Sequence, residues 1–196
     1  PVLQQVENFN SPIETANDSF KSVSKYFDRI TRPEQILASL PQAIQLMLDP
    51  ADCGPATIAM SQDVQGETFD YPEIFFEERI HEVRRVHPDP RQVKQAAEKL
   101  MNSKQPIIIS GGGVLYSEAE EELSIFAKKH NIPVTSTVMG IGCMTRDDPY
   151  YISAVGALGE GSSNSLSKDT DLALAIGTKL ADFTTGSWAN FENPNF

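Results

Sequence analysis

The sequence predicts an α/β protein with a doubly wound, Rossmann-like parallel sheet. Short apolar runs typical of buried parallel strands recur along the chain, and segments with helical spacing of apolar residues separate them. Glycines follow two of these runs directly, at Gly111–Gly113 and at Gly177. Strands that alternate with helices form right-handed βαβ units, and such units give a parallel sheet.

The first third of the chain carries the signals of a strand, a helix and a second strand. Alternating apolar residues over 20–27 predict a half-buried strand. A helix is expected to begin at Pro33, with Thr31 as its candidate cap and a kink or break at Pro41. The apolar run Ala56–Met60 predicts a buried strand of a parallel sheet.

A change in amino-acid pattern marks the predicted boundary between two domains. Residues 66–89 mix charges, prolines and aromatic side chains without a period, and we interpret them as an extended linker with aromatic anchors. The second domain is expected to begin at residue 90, because Asp89 is placed to cap a helix whose first turn contains Pro90.

Strands and helices alternate in the second domain. Strands are predicted at 106–109, 132–135 and 172–176. Between the first two, Ser117 and Glu120 have the spacing of a capping box and predict the start of a helix. This order is that of a βαβ domain.

A ligand crevice is predicted where these strands end, because the carboxyl ends of parallel strands border the binding site of an open α/β sheet. The backbone amides of Gly111–Gly113 have no Cβ in the way of a phosphate, but neither GxGxxG nor GxxxxGK[ST] is present, so a tight turn without a ligand remains the alternative. Lys179, two residues after Gly177, either lines this crevice or forms a plain surface pair with Asp182. Further glycines stand at other expected strand ends, at Gly140, Gly142 and from Gly156 to Gly161.

Acidic side chains are numerous but form no catalytic pattern. Glu118 and Glu120–Glu122 are interpreted as a solvated helix face near an N-terminus, where the helix dipole favours negative charge. Asp147 and Asp148 precede Pro149 and indicate a turn. The sequence suggests no Ser-His-Asp arrangement and contains no GxSxG motif, so the residues alone do not define a reaction.

Charge and apolar patterning exclude several classes of partner. The 27 acidic residues outnumber the 16 basic ones and give a net charge of −11, which would repel nucleic acid and anionic membranes. No apolar stretch reaches the roughly 18 residues of a membrane span. Two cysteines, Cys53 and Cys143, form no CxxC pair and lie far from the three histidines in sequence. They predict buried free thiols in a reducing cytoplasm and no structural zinc site.

The order of the motifs resembles that of thiamine-diphosphate enzymes of the acetolactate synthase type. Residues 106–113, 132–142 and 171–185 are similar to the central domain of these enzymes. Upstream, residues 54–65 resemble the last strand of their pyrimidine-binding domain and the turn that closes it, although Ser61 stands where proline is commoner. The resemblance implies that residues 1–65 are the C-terminal part of a pyrimidine-binding domain and that a truncated central domain covers residues 90–196.

A narrower resemblance places the sequence in the branch of this family that acts in myo-inositol catabolism. The similar segments are Pro1–Glu7, Ser24–Ile30, Arg32–Gln35, Asp49–Asp52 and Asp70–Phe76. The resemblance implies a parent enzyme that opens a cyclic trihydroxy dione to 5-deoxyglucuronate by hydrolysis of a C–C bond. An acetolactate- or sulfoacetaldehyde-type transferase and a non-catalytic nucleotide-binding module are the alternatives.

The resemblance implies thiamine diphosphate and Mg²⁺ in the parent and neither of them bound to this chain alone. The family's activating glutamate precedes residue 1, and its metal-binding motif is expected after Phe196, so no catalytic residue or metal ligand is assigned here and the chain alone is expected to be inactive. The crevice candidates are the five residues Gly111, Gly112, Gly113, Gly177 and Lys179. The synthases bind FAD through the central domain, but the resemblance to the hydrolase branch implies no FAD. Lys179, which stands where the synthases often have arginine, weakens the case for FAD further. A homo-oligomer is expected, since missing strands would leave an open sheet edge in residues 1–65.

Overall fold

The computed structural model describes residues 10, 14–83 and 85–196. The chain divides into two compact units, Pro1–His87 and Pro88–Phe196. Both contain parallel strands with flanking helices, which confirms the predicted α/β class. The finer division into residues 1–65, a linker at 66–89 and a domain at 90–196 stays a prediction. In the described part of the chain, no helix has the length and apolar character that crossing a membrane requires.

The first unit is built on two parallel strands, β1 (Tyr26–Ile30) and β2 (Ala56–Met60). Helix α1 (Ile36–Leu48) connects them and packs on β2, and the short helix α2 (Gln62–Gln65) follows β2. The second predicted strand is confirmed with its bounds unchanged.

The strand predicted over residues 20–27 is wrong except at Tyr26 and Phe27. Ala16–Val23 forms a 3-10 helix, and the strand begins only at Tyr26. The turn is fixed locally, because the Thr15 N–H donates to the Asp18 carboxylate at 2.8 Å and the Asp18 N–H donates to the Thr15 carbonyl at 2.9 Å. The alternation of apolar residues predicted a strand here, but the hydrogen bonds between Thr15 and Asp18 start a helical turn instead.

The predictions around Pro33 and Pro41 are partly wrong. A 3-10 turn over Pro33–Gln35 opens the helical segment with Arg32 as its N-cap, so Thr31 is not the cap. Pro41 lies inside α1, which continues through it without a break. Proline removes one helical hydrogen bond, yet the helix continues to Leu48 and packs on β2.

Residues 66–83 contain no strand or helix apart from a 3-10 turn at Glu73–Phe75. Their aromatic side chains form one cluster, in which the Tyr71 ring lies 5.0 Å from Phe69 and 6.0 Å from Phe75. The Tyr71 hydroxyl donates to the Pro33 carbonyl at 3.2 Å. This contact anchors the segment to the helical part of the first unit.

The second unit is a four-stranded parallel sheet. Its strands are β3 (Pro106–Ser110), β4 (Val134–Ser136), β5 (Tyr151–Ala154) and β6 (Leu172–Ile176), in the spatial order β5-β4-β3-β6. Its helices are α3 (Pro90–Asn102), α4 (Gly112–Tyr116), α5 (Glu120–His130), α6 (Gly161–Asp169) and α7 (Asp182–Thr185). Strand β3 pairs with β6 in parallel from Pro106↔Leu172 to Ser110↔Ile176, as the predicted fold requires.

The central strand β3 is buried on both faces. Ile108 belongs to a cluster with Leu123 and Ala127 of α5 and with Val134 of β4. Ile107 and Ile109 point to the opposite face and pack with Val155. Strand β3 therefore lies at the centre of the domain. The loops that follow its neighbouring strands β4 and β6 are held in place by pairing of those strands with β3.

Several boundaries in the second unit differ from prediction. Helix α3 begins at Pro90, with the Asp89 side chain accepting from the Arg91 N–H, as predicted. The capping box is wrong, because α5 begins at Glu120 after Ala119 and Ser117 ends α4 instead. Strand β4 begins at Val134 and not at residue 132.

Strand β5 and helices α2, α4, α6 and α7 are not predicted from the sequence. Strand β5 spans four residues and carries one strongly apolar side chain, Ile152. Helix α6 has no amphipathic pattern, because it packs through the buried hydroxyls of Ser163 and Ser167. The Ser163 Oγ donates to the carbonyl of Ala154, and this bond ties α6 to the end of β5.

Asp148 fixes the turn that precedes β5, and its loss is expected to destabilise the second unit. Its carboxylate accepts from the Ser124 hydroxyl at 2.8 Å, the Tyr150 N–H at 3.0 Å and the Lys128 ammonium at 3.1 Å. We expect Asp148→Asn to lower the free energy of unfolding at neutral pH by about 1–3 kcal/mol. Chemical denaturation tests this, with the exposed neighbour Asp147→Asn as the matched control.

The effect of Asp148 is expected to depend on pH. Burial alone raises the pKa of this carboxyl, but the bonds from Tyr150, Ser124 and Lys128 outweigh burial and hold the pKa below its ordinary value. The stabilisation is therefore complete above the unfolded-state pKa of about 3.9 and is lost as the pH falls through the folded-state value. An equal difference between wild type and Asp148→Asn at pH 7 and well below pH 4 would contradict this account.

Candidate functional site

The order of the strands reverses between β3 and β6. The chain leaves β3 toward β4 and β5 on one side and then crosses back to place β6 on the other side. In open parallel sheets, ligands bind beyond the carboxyl ends of the strands at such a reversal. The turns at this point are Gly111–Gly113 after β3 and Gly177–Lys179 after β6.

The two turns interlock through their backbones. The Gly111 N–H donates to the Ile176 carbonyl and the Gly113 N–H donates to the Gly177 carbonyl, both at 2.9 Å. A Cβ at Gly113 would lie 2.6 Å from the Gly177 Cα, and one at Gly111 would lie 2.4 Å from the Gly177 carbonyl oxygen. The glycines are therefore required by this close approach, and two of their three amides are used within the fold.

A cleft of about 450 Å³ opens beside the interlocked turns. Its floor includes Gly112, Gly113 and Gly177. Apolar and aromatic side chains form most of its wall, namely Tyr116, Val138, Met139, Val155, Ala181 and Phe183. Three threonines, Thr137, Thr178 and Thr184, also line it. A volume of this size is typical of sites for small molecules.

Lys179 is the one charged residue among those that line the cleft. Its side chain is exposed, and no described carboxylate lies within salt-bridge distance of its ammonium group. Asp182 does not pair with it in the described structure, because that carboxylate accepts from the Ser187 hydroxyl at 2.7 Å. The cleft therefore presents a single positive charge on an apolar background.

The far wall of the cleft is held by Asn164 of α6. Its side-chain carbonyl accepts from the Gly156 N–H at 2.8 Å, and its amide donates to the Gly156 carbonyl at 3.0 Å. The Ala157 N–H donates to the Phe183 carbonyl at 2.8 Å. These bonds connect the turn after β5 with the segment that carries Phe183 and thereby fix the position of Val155.

Two buried side chains near the end of β3 do not belong to the cleft. Burial raises the pKa of the Cys143 thiol, and the nearby Ser110 hydroxyl offsets only part of this effect. Cys143 is wholly buried, whereas Cys53 is exposed, so the prediction of buried thiols is right for one and wrong for the other. Both are free. Among the residues that the structure describes, no group of three or more His, Cys, Asp or Glu side chains is placed to hold a metal ion.

The structure brings most of the five predicted crevice residues together. Gly112, Gly113, Gly177 and Lys179 line the cleft, and Gly111 packs against Thr178 behind it. Their role as ligand contacts stays a prediction. Most of the wall was not anticipated, in particular Tyr116 and the segment Thr137–Met139. The rule that ligands bind at the carboxyl ends of strands points to Thr137–Met139, because that segment directly follows β4.

A second groove, of about 690 Å³, lies between α3 and α5. It is lined by apolar residues of both helices and by Pro106 and Ile132. Pro106 is the first residue of β3, and Ile132 stands two residues before β4, so the groove lies at the amino ends of these strands. Binding sites of open parallel sheets lie at the opposite end. The cleft beside Lys179 is therefore the better candidate site.

The strand order defines the second unit as a Rossmann-like domain, with a cleft at the point where that order reverses. The family model described as thiamine pyrophosphate enzyme, central domain, matches residues 93–195. The chain belongs to this family, as the sequence motifs implied.

Curated relatives match the whole length of the chain. A 3D-(3,5/4)-trihydroxycyclohexane-1,2-dione hydrolase of Clostridium perfringens strain 13 is 44% identical over 194 residues, which are 99% of this chain and 30% of the relative. Proteins of the same name from Clostridium tetani and Bacillus thuringiensis are 44% and 42% identical, each over 193 residues, or 98% of the chain and 30% of the relative. The chain thus spans about 30% of the length of these relatives.

Proposed function

We propose that the chain is part of a thiamine-diphosphate-dependent hydrolase that opens 3D-(3,5/4)-trihydroxycyclohexane-1,2-dione to 5-deoxyglucuronate. One observation carries this proposal: identity of 44% to a hydrolase of that name extends over 99% of the chain, well beyond the 93–195 segment that the central-domain model matches. Similarity confined to the central domain would fit many reactions of the family, whereas similarity across both units favours this one.

The proposed reaction adds water across a C–C bond. The bond between the two carbonyl carbons of the dione breaks, one carbon takes the hydroxyl oxygen and becomes the carboxylate, and the other gains hydrogen and becomes the aldehyde. Thiamine diphosphate, when bound, supplies a carbanion that adds to a ketone carbonyl. The part of the chain described by the structure offers no donor set for the Mg²⁺ that accompanies its diphosphate, so we assign none of these residues to either group.

The contribution of this chain is proposed to be structural support and positioning. The second unit places rigid loops around β3, whose Ile107, Ile108 and Ile109 are wholly buried. We propose that residues 1–65 belong to a pyrimidine-binding domain, because their two strands are parallel and pair with each other from Tyr26↔Ala56 to Ile30↔Met60. The 196-residue chain alone is expected to show no hydrolase activity.

We further propose that the whole protein is a cytoplasmic homo-oligomer. The two free cysteines support a reducing compartment. Within the described residues, β1 and β2 pair only with each other, so the sheet of the first unit has two edges that strands from elsewhere in the parent protein or from a second copy would cover.

Steady-state kinetics of the full-length protein test the proposed reaction. We expect thiamine-diphosphate-dependent consumption of the dione, with kcat/KM at least about 100-fold above that for pyruvate, since a site built around the polar groups of one substrate rejects an analogue that lacks them. A preference for pyruvate with formation of acetolactate would favour the alternative transferase. Loss of activity without added thiamine diphosphate is the control for cofactor dependence.

A further inference from the structure

We propose that the cleft beside Lys179 binds a small organic monocarboxylate with a ring-containing apolar body. This inference concerns a site in the second unit and stands independently of the proposed hydrolase reaction. It rests on the geometry of the glycine turns, on the charge of the cleft and on the side chains that surround its mouth.

The interlocked glycine turns argue against a dinucleotide. Diphosphates of dinucleotides are held by several free backbone amides at a glycine-rich turn. Here the amides of Gly111 and Gly113 already donate to the carbonyls of Ile176 and Gly177. Helix α4, which follows, has only five residues and offers little helix dipole. The ligand must therefore find its anion contact elsewhere.

Lys179 provides that contact. It is the one charged residue of the lining, and no described carboxylate pairs with it, although acidic residues outnumber basic ones by 27 to 16 in this protein. One ammonium group matches one negative charge, and the remaining polar side chains of the lining, those of Thr137, Thr178 and Thr184, are neutral. A single carboxylate fits this set better than a doubly charged phosphate, which usually recruits several amides or an arginine.

The body of the ligand is inferred from the walls. Tyr116, Met139 and Phe183 are 79%, 69% and 66% exposed, although each lines the same cleft. Large apolar side chains that gather uncovered around one cleft indicate a binding surface. Two of these three side chains are aromatic, and flat ring surfaces pack favourably on such side chains.

Calorimetric titration of the 196-residue chain tests the proposal with a matched pair of probes. Indole-3-acetate carries a carboxylate, and tryptophol replaces that carboxylate with a neutral alcohol on the same ring. We expect the acid to bind about tenfold more tightly than the alcohol. Lys179→Met is expected to remove this preference, and Lys179→Arg is expected to retain it. Lys129→Met, which changes an exposed lysine of α5 outside the cleft, is expected to bind like wild type.

Four results would overturn the proposal. The first is equal affinity of the acid and the alcohol for wild type, and the second is an equal effect of Lys179→Met and Lys129→Met on binding of the acid. The third is tighter binding of FAD or NAD than of indole-3-acetate, which would show that the cleft accepts a dinucleotide. Absence of acid binding at millimolar concentration would also reject it. Circular dichroism of each variant shows whether the fold is retained.

Discussion

Gly113→Ala is expected to destabilise the second unit by about 3 kcal/mol or more, the upper range for inserting a methyl group into a packed site. The new Cβ would lie 2.6 Å from the Gly177 Cα and 2.9 Å from the Gly177 carbonyl oxygen. Both are backbone atoms of a turn held between β6 and the cleft, so neither can rotate away. Relief requires separating the two turns, which breaks the Gly113 N–H bond to Gly177.

Gly161→Ala is the matched control for this variant. Gly161 also lies in the first turn of a helix, but no heavy atom stands within 4 Å of its ideal Cβ position. We expect this substitution to change the free energy of unfolding by less than about 1 kcal/mol. Thermal and chemical unfolding of the two variants measure the difference. Equal stabilities would show that the turns after β3 and β6 are not interlocked as described.

Gly156→Ala is expected to be at least as damaging, for two reasons that add. Gly156 has φ +107°, a conformation that costs an L-residue about 1–3 kcal/mol. Its Cβ would also lie 2.0 Å from the Phe183 carbonyl oxygen, which forces the far wall of the cleft outward. The steric contribution is expected to bring the total above about 3 kcal/mol.

Gly142→Ala separates these two contributions. Gly142 has φ +104°, nearly the same as Gly156, but nothing lies within 4 Å of its Cβ position. The cost of Gly142→Ala therefore reports the conformational part alone. The excess for Gly156→Ala measures the packing of the turn after β5 against the segment that carries Phe183. No excess in chemical denaturation would contradict the described packing.

Elements whose sequence pattern arises from burial could be predicted. Strand β3 reads as an apolar run because both of its faces are covered, and β2 and β6 were found by the same signal. Helix α3 was found from its cap and its proline, which act within one turn. Segment 16–23 and helix α6 were missed because the first is fixed by local hydrogen bonds and the second packs through serine side chains.

The candidate site was predictable in position but not in character. The glycines and Lys179 follow strands in the sequence, so their meeting at one end of a parallel sheet follows from the fold class. The residues around them could not be predicted, because the hydrogen bonds that fix the walls of the cleft join segments that are separate in the sequence. Asn164 and Gly156 pair through side chain and backbone, and the Ala157 N–H donates to the Phe183 carbonyl, without any motif. The sequence also does not show that the Gly111 and Gly113 amides donate to the carbonyls of Ile176 and Gly177.

The proposed hydrolysis is tested most directly by the fate of the oxygen of water. Full-length protein with thiamine diphosphate is incubated with 3D-(3,5/4)-trihydroxycyclohexane-1,2-dione in ¹⁸O-labelled water, and the product is analysed by mass spectrometry. We predict ring-opened product with one heavy oxygen in its carboxylate, formed only when the cofactor is present. An unchanged dione, together with conversion of pyruvate to acetolactate under the same conditions, would contradict the proposal.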